Sequence, residues 1–239
     1  MTPMTDAAPT QTALTQAPPT QATLTLADLG WGSHFAAQHD NPDLRPLRLT
    51  SVTRSALVAL GPDGPARLTL PADTSTGAFA VGDWVLADGE IAAQRLEPFS
   101  LLQRRASGPE ARSQLMAANV DTLGIVTACN ADFNIARLER YIALALDAGV
   151  TPVILLSKPD LASDPDSYLD QARAISALAE ALTVNATDES AGALLAPWCK
   201  PGQTVAFLGS SGVGKSTLTN ALAGSQTIAT QGIREDDAK

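Results

Sequence analysis

The sequence predicts a mixed fold, in which a small β-barrel of five short strands precedes an α/β domain built on a parallel sheet. Between residues 47 and 103, short runs with strand character are separated by turns rich in Gly, Pro and Asp. From residue 116 onward, strand-like runs alternate with helical patterns, which is typical of a parallel sheet covered on both faces. Near the end of the chain, a glycine-rich segment joins an apolar run to a helix.

Five apolar runs define the predicted barrel at a spacing of roughly ten residues. They are LRLTSVT, SALVAL, ARLTLP, DWVLAD and IAAQRLE, with GPDG, STG and DG as the turn signals. About 55 residues are too few for a two-sheet immunoglobulin-like sandwich, so a single five-stranded barrel over 47–103 fits better. The preceding stretch, 26–46, is expected to be a short helical or turn-rich lead-in.

The second half of the chain alternates strands and helices. We expect strands at 119–129, 151–157, 182–186 and 203–209. Helical patterns follow them at 135–149, 166–181, 190–198 and 214–224. The predicted α/β domain therefore covers 116–239, and the segment 103–116 is expected to join it to the barrel.

Composition limits the class of protein. The 239 residues are 45% hydrophobic and 17% charged, within the ordinary range for a soluble globular chain. Cys129 and Cys199 are too few for a disulfide framework or a zinc site, so a cytoplasmic location is expected. No apolar run approaches the roughly 20 residues needed to span a bilayer. Residues 1–25, rich in Thr, Ala, Gln and Pro, are expected to form a disordered tail.

The net charge of −9 gives the chain no long-range attraction to nucleic acid, so any such contact must be local. Arg104, Arg105 and Arg112 are the candidates for such a contact, although a solvated loop is the simpler interpretation of these three arginines. His34 and His39 are expected to be ordinary surface histidines rather than zinc ligands.

Residues 209–216 have the G-x-x-x-x-G-K-S/T pattern of a phosphate-binding loop, directly after an apolar strand and directly before a helix. The glycines let the backbone turn its N–H groups onto anionic oxygens, and the helix N-terminus adds its dipole. Lys215 is expected to contact the β- and γ-phosphates, and Ser216 to bind Mg²⁺, which makes them the predicted catalytic residues. The predicted nucleotide-binding residues of this loop are Gly209, Ser210, Ser211, Gly212, Val213, Gly214, Lys215, Ser216 and Thr217.

The segment Ser157-Lys158-Pro159-Asp160 bears on which nucleotide is bound. A carboxylate fixed at a strand end accepts hydrogen bonds from guanine N1–H and N2–H₂, and Asp160 fits this role. Lys158 can lay its alkyl stem along the purine ring. Taken alone, the segment fits equally well a strand-to-helix turn in which Asp160 caps the next stretch of chain.

A third element lies at the end of the next strand, where Asn185 and Ala186 follow Val184 and the Ala186 N–H is available to guanine O6. Base-reading segments that precede the phosphate loop resemble the circularly permuted GTPases and, among them, the RsgA (YjeQ) family. Further matching stretches are LGW at 29–31, VGDWV at 81–85, NVDTLGIV at 119–126, KPGQTVAFLGSSGVGKSTLTNAL at 200–222 and IRED at 233–236.

The resemblance implies an OB-fold for the barrel and a P-loop GTPase fold, in permuted motif order, for the second domain. It further implies a cytoplasmic, monomeric GTPase that acts in late maturation of the small ribosomal subunit and couples GTP hydrolysis to release from it. GTP and Mg²⁺ would be its ligands, and the 30S subunit and ribosomal RNA its partners. The base-binding residues would be Ser157, Lys158, Pro159, Asp160, Asn185 and Ala186.

The chain departs from the family pattern in two respects. Ser157 stands where the family usually has Asn, and its shorter hydroxyl is expected to tether the phosphate loop less well. The sequence given also stops at Lys239, before the family's switch threonines, its D-x-P-G motif and its zinc-binding helical domain. We therefore expect an incomplete GTPase domain, an exposed sheet edge at TVAFL, no zinc ligands, weak nucleotide binding and slow hydrolysis.

Two other functions stay open on the sequence alone. The first is an ATP-dependent P-loop enzyme, such as a kinase or a transporter subunit. The second is a non-hydrolysing module that binds RNA or the ribosome, in which only the barrel matters.

Overall fold

The structure is a computed structural model that describes residues 24–105, 113–188 and 190–223. The predicted disordered tail, except for its last two residues, lies outside the described residues, as does the IRED stretch. Within the described ranges, every helix falls short of the length and apolarity that crossing a bilayer requires.

An antiparallel sheet of five strands follows a lead-in of turns and one short helix, α1 (Ser33–Ala36). The strands correspond to the five runs in the sequence, with small shifts at their ends. Leu47 and Leu49, and likewise Leu57 and Ala59, are buried at every second position, which is the period of a strand with one face inward. In the spatial order β3-β2-β1-β4-β5, the sheet contains β1 (Arg45–Val52), β2 (Leu57–Gly61), β3 (Gly64–Leu68), β4 (Trp84–Asp88) and β5 (Ile91–Arg95).

The two outer strands of this sheet also meet. Just beyond β3, Thr69 forms a parallel bridge with Ile91 of β5. The Thr69 N–H donates to the Glu90 carbonyl at 2.8 Å, and the Ala92 N–H donates to the Thr69 carbonyl at 2.9 Å. The five strands therefore close around an apolar core, in agreement with the expectation of a small barrel.

A hairpin of two strands follows, β6 (Leu101–Arg105) and β7 (Ser113–Ala118). The interpretation of its arginines as a solvated loop was wrong for Arg104, which lies in β6 and donates from Nε to Gln114 Oε1 at 3.0 Å. Arg105 also belongs to β6, whereas Arg112 lies outside the described residues. The strands were missed because the polar residues from Gln103 to Gln114 separate the short apolar ends of the hairpin.

A parallel sheet of four strands forms the second half of the molecule, with its strands in the spatial order β10-β9-β8-β11. The residues of β8 are all buried, as expected for a strand covered on both faces. Among the described residues, β11 pairs only with β8 and is half-buried. The strands are β8 (Thr122–Ala128), β9 (Thr151–Ser157), β10 (Glu180–Val184) and β11 (Val205–Leu208).

Helices cover both faces of the parallel sheet, as predicted. On one face lie α2 (Ile135–Asp147) and α3 (Pro165–Ile175), and on the other α4 (Ala191–Leu195) and α5 (Lys215–Ala223). The predicted helix at 166–181 was too long, because Glu180 and Ala181 belong to β10. The helix ends where Ser176 adopts extended backbone and its hydroxyl accepts the Leu178 N–H.

Arg48 of β1 joins the two halves of the molecule. Its guanidinium donates to four acceptors from separate parts of the chain. They are the carbonyls of Leu29, Gly82 and Asn119, at 2.6, 3.3 and 3.0 Å, and the Thr204 hydroxyl, at 2.7 Å. Burial lowers the pKa of Arg48, and the negative charge of Asp121 partly opposes this shift. Thr204 directly precedes β11, so Arg48 fixes the start of that strand to the closed sheet.

We expect Arg48→Ala to lower the free energy of unfolding by about 2–3 kcal/mol, because it leaves buried acceptors without a donor. Urea unfolding followed by tryptophan fluorescence measures this change. Arg67→Ala, at an exposed position of β3, is the matched control and should cost less than about 0.5 kcal/mol. Equal losses in the two variants would contradict the role assigned to Arg48.

Candidate functional site

The carboxyl ends of the parallel strands meet at one edge of the sheet. The register pairs Leu208 with Ile125 and Ile125 with Ile154, so the segments after β8, β9 and β11 emerge side by side. β10 reaches the same edge at Val184, which pairs with Ser157. This is the edge at which parallel α/β sheets bind ligands.

The predicted phosphate-binding loop, 209–214, connects β11 directly to α5 at this edge. Gly209 lies so close to β8 that an added Cβ would be 2.1 Å from the Val126 carbonyl oxygen. Gly212 and Gly214 have φ values of 74° and 100°, which favour glycine. The backbone of the loop therefore takes a path that side chains at these positions would obstruct or strain.

The predicted base-reading segment contacts the loop. Ser157, buried at the end of β9, donates from Oγ to the Val213 carbonyl at 2.7 Å and approaches the Thr127 carbonyl at 3.3 Å. Lys158 has a left-handed backbone, with φ 57° and ψ 40°, and its Nζ donates to the Gly212 carbonyl at 2.9 Å. The hydroxyl was expected to tether the loop less well than the usual Asn. It nevertheless reaches the loop with a hydrogen bond of ordinary length.

Lys215 is the first residue of α5, and its side chain folds back over the loop. Its Nζ donates to the carbonyls of Gly209 and Ser210, at 2.9 and 2.5 Å. Burial lowers the pKa of Lys215, and the negative charge of Asp132 partly opposes this shift. Because both acceptors are uncharged, the loop presents a positive charge to an anion.

Three polar residues at and after the end of β8 were missed in the sequence. Asp132, between β8 and α2, accepts from Thr127 Oγ1 at 3.2 Å and pairs with Arg137, whose Nη2 lies 2.9 Å from Asp132 Oδ2. Arg137 also donates to the Asp132 carbonyl. The signal that could have found them is the polar pair Asn130 and Asp132, shortly after a buried strand at the ligand-binding edge.

The other predicted base-reading residues lie in two adjacent turns. Asp160 is exposed in a short 3₁₀ turn that begins at Pro159. Asn185 directly follows β10, and its Oδ1 accepts from the Thr187 N–H at 3.1 Å and from the Thr187 hydroxyl at 2.7 Å. This second turn also contains Ala186, and the pairing of β9 with β10 sets it beside the first.

The remaining predicted residues belong to the loop and to the first turn of α5. Ser210 is half-buried and Ser211 exposed within the loop, while Ser216 and Thr217 are half-buried in the helix. A serine hydroxyl is an oxygen ligand of the kind that Mg²⁺ binds. Within the described ranges, no group of three or more His, Cys, Asp or Glu is arranged to hold a metal ion.

The histidines and cysteines have structural surroundings. The rings of His34 and His39 each contact a backbone carbonyl, at 2.8 and 3.0 Å. Cys129 is buried in the core between the sheet and α2, and Cys199 is half-buried against the opposite face.

A glycine-rich loop between a parallel strand and a helix, with a second strand end against it, is the architecture of P-loop nucleotide-binding proteins. Residues 96–239 match the family model of the RsgA GTPase. The chain therefore belongs to the RsgA GTPase family.

The chain is also similar to individual proteins of known name. It is 51% identical over 221 residues to the small ribosomal subunit biogenesis GTPase RsgA of Mesorhizobium japonicum, covering 90% of this chain and 64% of that protein. It is 43% identical over 218 residues to the small ribosomal subunit biogenesis GTPase RsgA 2 of Vibrio vulnificus, covering 90% of this chain and 62% of that protein. The chain thus spans less than two thirds of the length of these relatives.

Among solved structures, YjeQ from Thermotoga maritima superimposes with a TM-score of 0.58. The match covers 75% of this chain and 65% of that one. At 20% sequence identity, this likeness shows the fold alone.

We expect Gly209→Ala to lower the free energy of unfolding by roughly 2–3 kcal/mol, since its methyl group would overlap the Val126 carbonyl. Gly192→Ala in α4 is the matched control, because there the nearest atom to an added Cβ is 3.5 Å away. Thermal unfolding followed by circular dichroism measures the stability of both variants. A Gly209→Ala chain as stable as the control would show that the close approach to β8 is not needed.

Proposed function

We propose that this chain binds GTP where the loop 209–214 meets the segment 157–160, and that it hydrolyses GTP during late maturation of the small ribosomal subunit. The proposal rests chiefly on the hydrogen bond from the Ser157 hydroxyl to the Val213 carbonyl, at 2.7 Å. That contact joins a strand end suited to a base with a loop suited to phosphates, within the reach of one nucleotide.

The base would bind between the turns after β9 and β10. Asp160 is exposed and free to accept hydrogen bonds from guanine N1–H and N2–H₂, a pair of donors that adenine does not present on this edge. The Ala186 N–H would donate to guanine O6. Lys158, held to the loop through Gly212, would cover one face of the purine with its alkyl stem.

The triphosphate would bind to the backbone N–H groups of the loop and to Lys215. Transfer of the terminal phosphoryl group to water needs positioning and charge stabilisation rather than covalent chemistry by the protein, and Lys215 with the loop amides supplies both. The half-buried Ser216 hydroxyl fits a ligand of Mg²⁺. When bound, Mg²⁺ would neutralise charge on the phosphate oxygens.

The closed five-stranded sheet would be an OB-type barrel that contacts ribosomal RNA. Its strand order and the bridge between Thr69 and Ile91 support this assignment. Arg54 and Arg67 are exposed on it and supply local positive charge within a chain of net charge −9. A role on the 30S subunit, which the names of the relatives support, completes the proposal together with motifs in permuted order and a cytoplasmic location.

Asp160→Asn should lower the preference for GTP over ATP by roughly 10- to 100-fold, because an amide cannot accept both guanine donors as a carboxylate does. Displacement of a fluorescent GDP analogue by GTP and by ATP measures the preference. Asp166→Asn, exposed in the first turn of α3, is the matched control. If the unaltered chain binds ATP as tightly as GTP, the ATP-dependent alternative is correct instead.

Reversing charge on the barrel tests the proposed RNA contact. The double variant Arg54→Glu and Arg67→Glu should bind 30S subunits about tenfold more weakly, since two attractions to phosphate become repulsions. Arg140→Glu with Arg173→Glu, exposed on α2 and α3, changes the net charge equally and serves as the control. Co-sedimentation with 30S subunits at fixed salt measures the affinity, and equal losses would remove the barrel from the interface.

A further inference from the structure

The phosphate-binding loop has an acidic neighbour that the proposed function does not use. Asp132 lies in the connection from β8 to α2, at the sheet edge from which the loop also emerges. The negative charge of Asp132 raises the pKa of Lys215 and so offsets part of the lowering that burial causes. A carboxylate at this point is unexpected, because it repels the phosphates that the loop is suited to bind.

Asp132 is held in a defined position by contacts of its side chain and of its backbone, including the bond from Arg137 to its carbonyl. Its Oδ2 accepts from the Thr127 hydroxyl at 3.2 Å and lies 2.9 Å from Nη2 of Arg137. Its own N–H donates to Asn130 Oδ1 at 2.9 Å. Only about a quarter of the Asp132 and Arg137 side chains is exposed, at 23% and 24%. Water therefore screens their charges less than it would at an open surface.

Thr127 connects this ion pair to both parts of the proposed nucleotide site. It is buried near the end of β8, and its carbonyl lies 3.3 Å from Ser157 Oγ. The residue before it, Val126, has the carbonyl oxygen that would lie 2.1 Å from a Cβ added at Gly209. The carboxylate of Asp132 is thus fixed to the strand that supports both the loop and the base-reading segment.

We propose that Asp132 is a positioning residue that limits the affinity of the loop for phosphates, with Arg137 as the counter-charge that sets the strength of this effect. In the absence of nucleotide, Asp132 stabilises the ammonium of Lys215 over the loop. In its presence, the same carboxylate opposes the phosphates, and it opposes more strongly the ligand that carries more charge. The inference rests on the proposed function, because it concerns the same site.

The two members of the ion pair are expected to have opposite effects. Asp132→Asn keeps a side-chain oxygen for Thr127, removes the negative charge and leaves the charge of Arg137 without its carboxylate partner, although the bond to the backbone carbonyl stays. Both changes in charge favour an anion, so nucleotide affinity should rise by roughly three- to tenfold. Arg137→Gln leaves the charge of Asp132 unopposed, so affinity should fall by a similar factor. A merely structural ion pair would weaken binding in both variants.

The experiment is a fluorescence titration of the full chain with N-methylanthraniloyl GDP and GTP, and with GMP as a competitor, at low and at high salt concentration. The gain in Asp132→Asn should increase from GMP to GDP to GTP and should shrink at the higher salt concentration. Asp147→Asn is the matched control, because it removes the same charge from the exposed far end of α2 and should change nothing.

Each outcome is decisive. A loss of affinity in both variants, or a gain that is equal for GMP and GTP, overturns the inference while leaving the proposed function intact. If the unaltered chain binds ATP analogues but not GTP, the assignment of guanine fails. The inference about Asp132 is then tested by whether the gain in affinity of Asp132→Asn increases with the number of phosphates on the adenine nucleotide. An unaltered chain that binds no nucleotide overturns both.

Discussion

The arrangement of the candidate site depends on one buried hydrogen bond, from the hydroxyl of Ser157 to the carbonyl of Val213. The two residues are 56 positions apart in the chain. Ser157 ends β9 and Val213 lies in the loop after β11, and these two strands are not neighbours because β8 runs between them. The bond fixes the distance between a turn that offers a carboxylate and a loop that offers amides. The strand register sets the two segments at the same edge of the sheet, and this bond joins them directly.

The strand between them makes this contact possible. An added Cβ at Gly124 in β8 would lie 2.6 Å from the Phe207 ring of β11, so the absence of a side chain lets that ring pack across the sheet. At the end of the same strand, the Val126 carbonyl comes close to Gly209. Small or backbone groups thus let β11 and the loop after it approach β8 closely. The packing of β11 on β8 and the position of the candidate phosphate-binding loop therefore depend on the same two glycines, Gly124 and Gly209.

Much of the fold could be predicted because its signals are local. Alternation of buried residues in β1 and β2, and the continuous apolar run of β8, identify strands without knowledge of their partners. The glycines of the loop likewise indicate an unusual backbone. By contrast, the apolar residues of β6 and β7 stand at the two far ends of the hairpin sequence with polar residues between them, which hides the strands, and the end of α3 depends on a local contact of Ser176.

The parts of the site that could not be predicted depend on tertiary distances. Whether a serine can replace a longer amide at Ser157 depends on how closely Val213 approaches, which no sequence pattern encodes. Asp132 and Arg137 are five residues apart and look like ordinary surface charges near the start of a helix. Their relation to Lys215 arises only because β8 and β11 are neighbours.

The bonds of Arg48 have a consequence for the order in which the molecule forms. Its acceptors extend from Leu29 to Thr204, and the bond to Thr204 joins residues 156 positions apart. During synthesis from the N-terminus, the strand that carries Arg48 leaves the ribosome long before Thr204 is translated. The bond to Thr204 therefore forms only after β8, β9 and β10 have been translated, so the closed sheet can fold before it docks on β11.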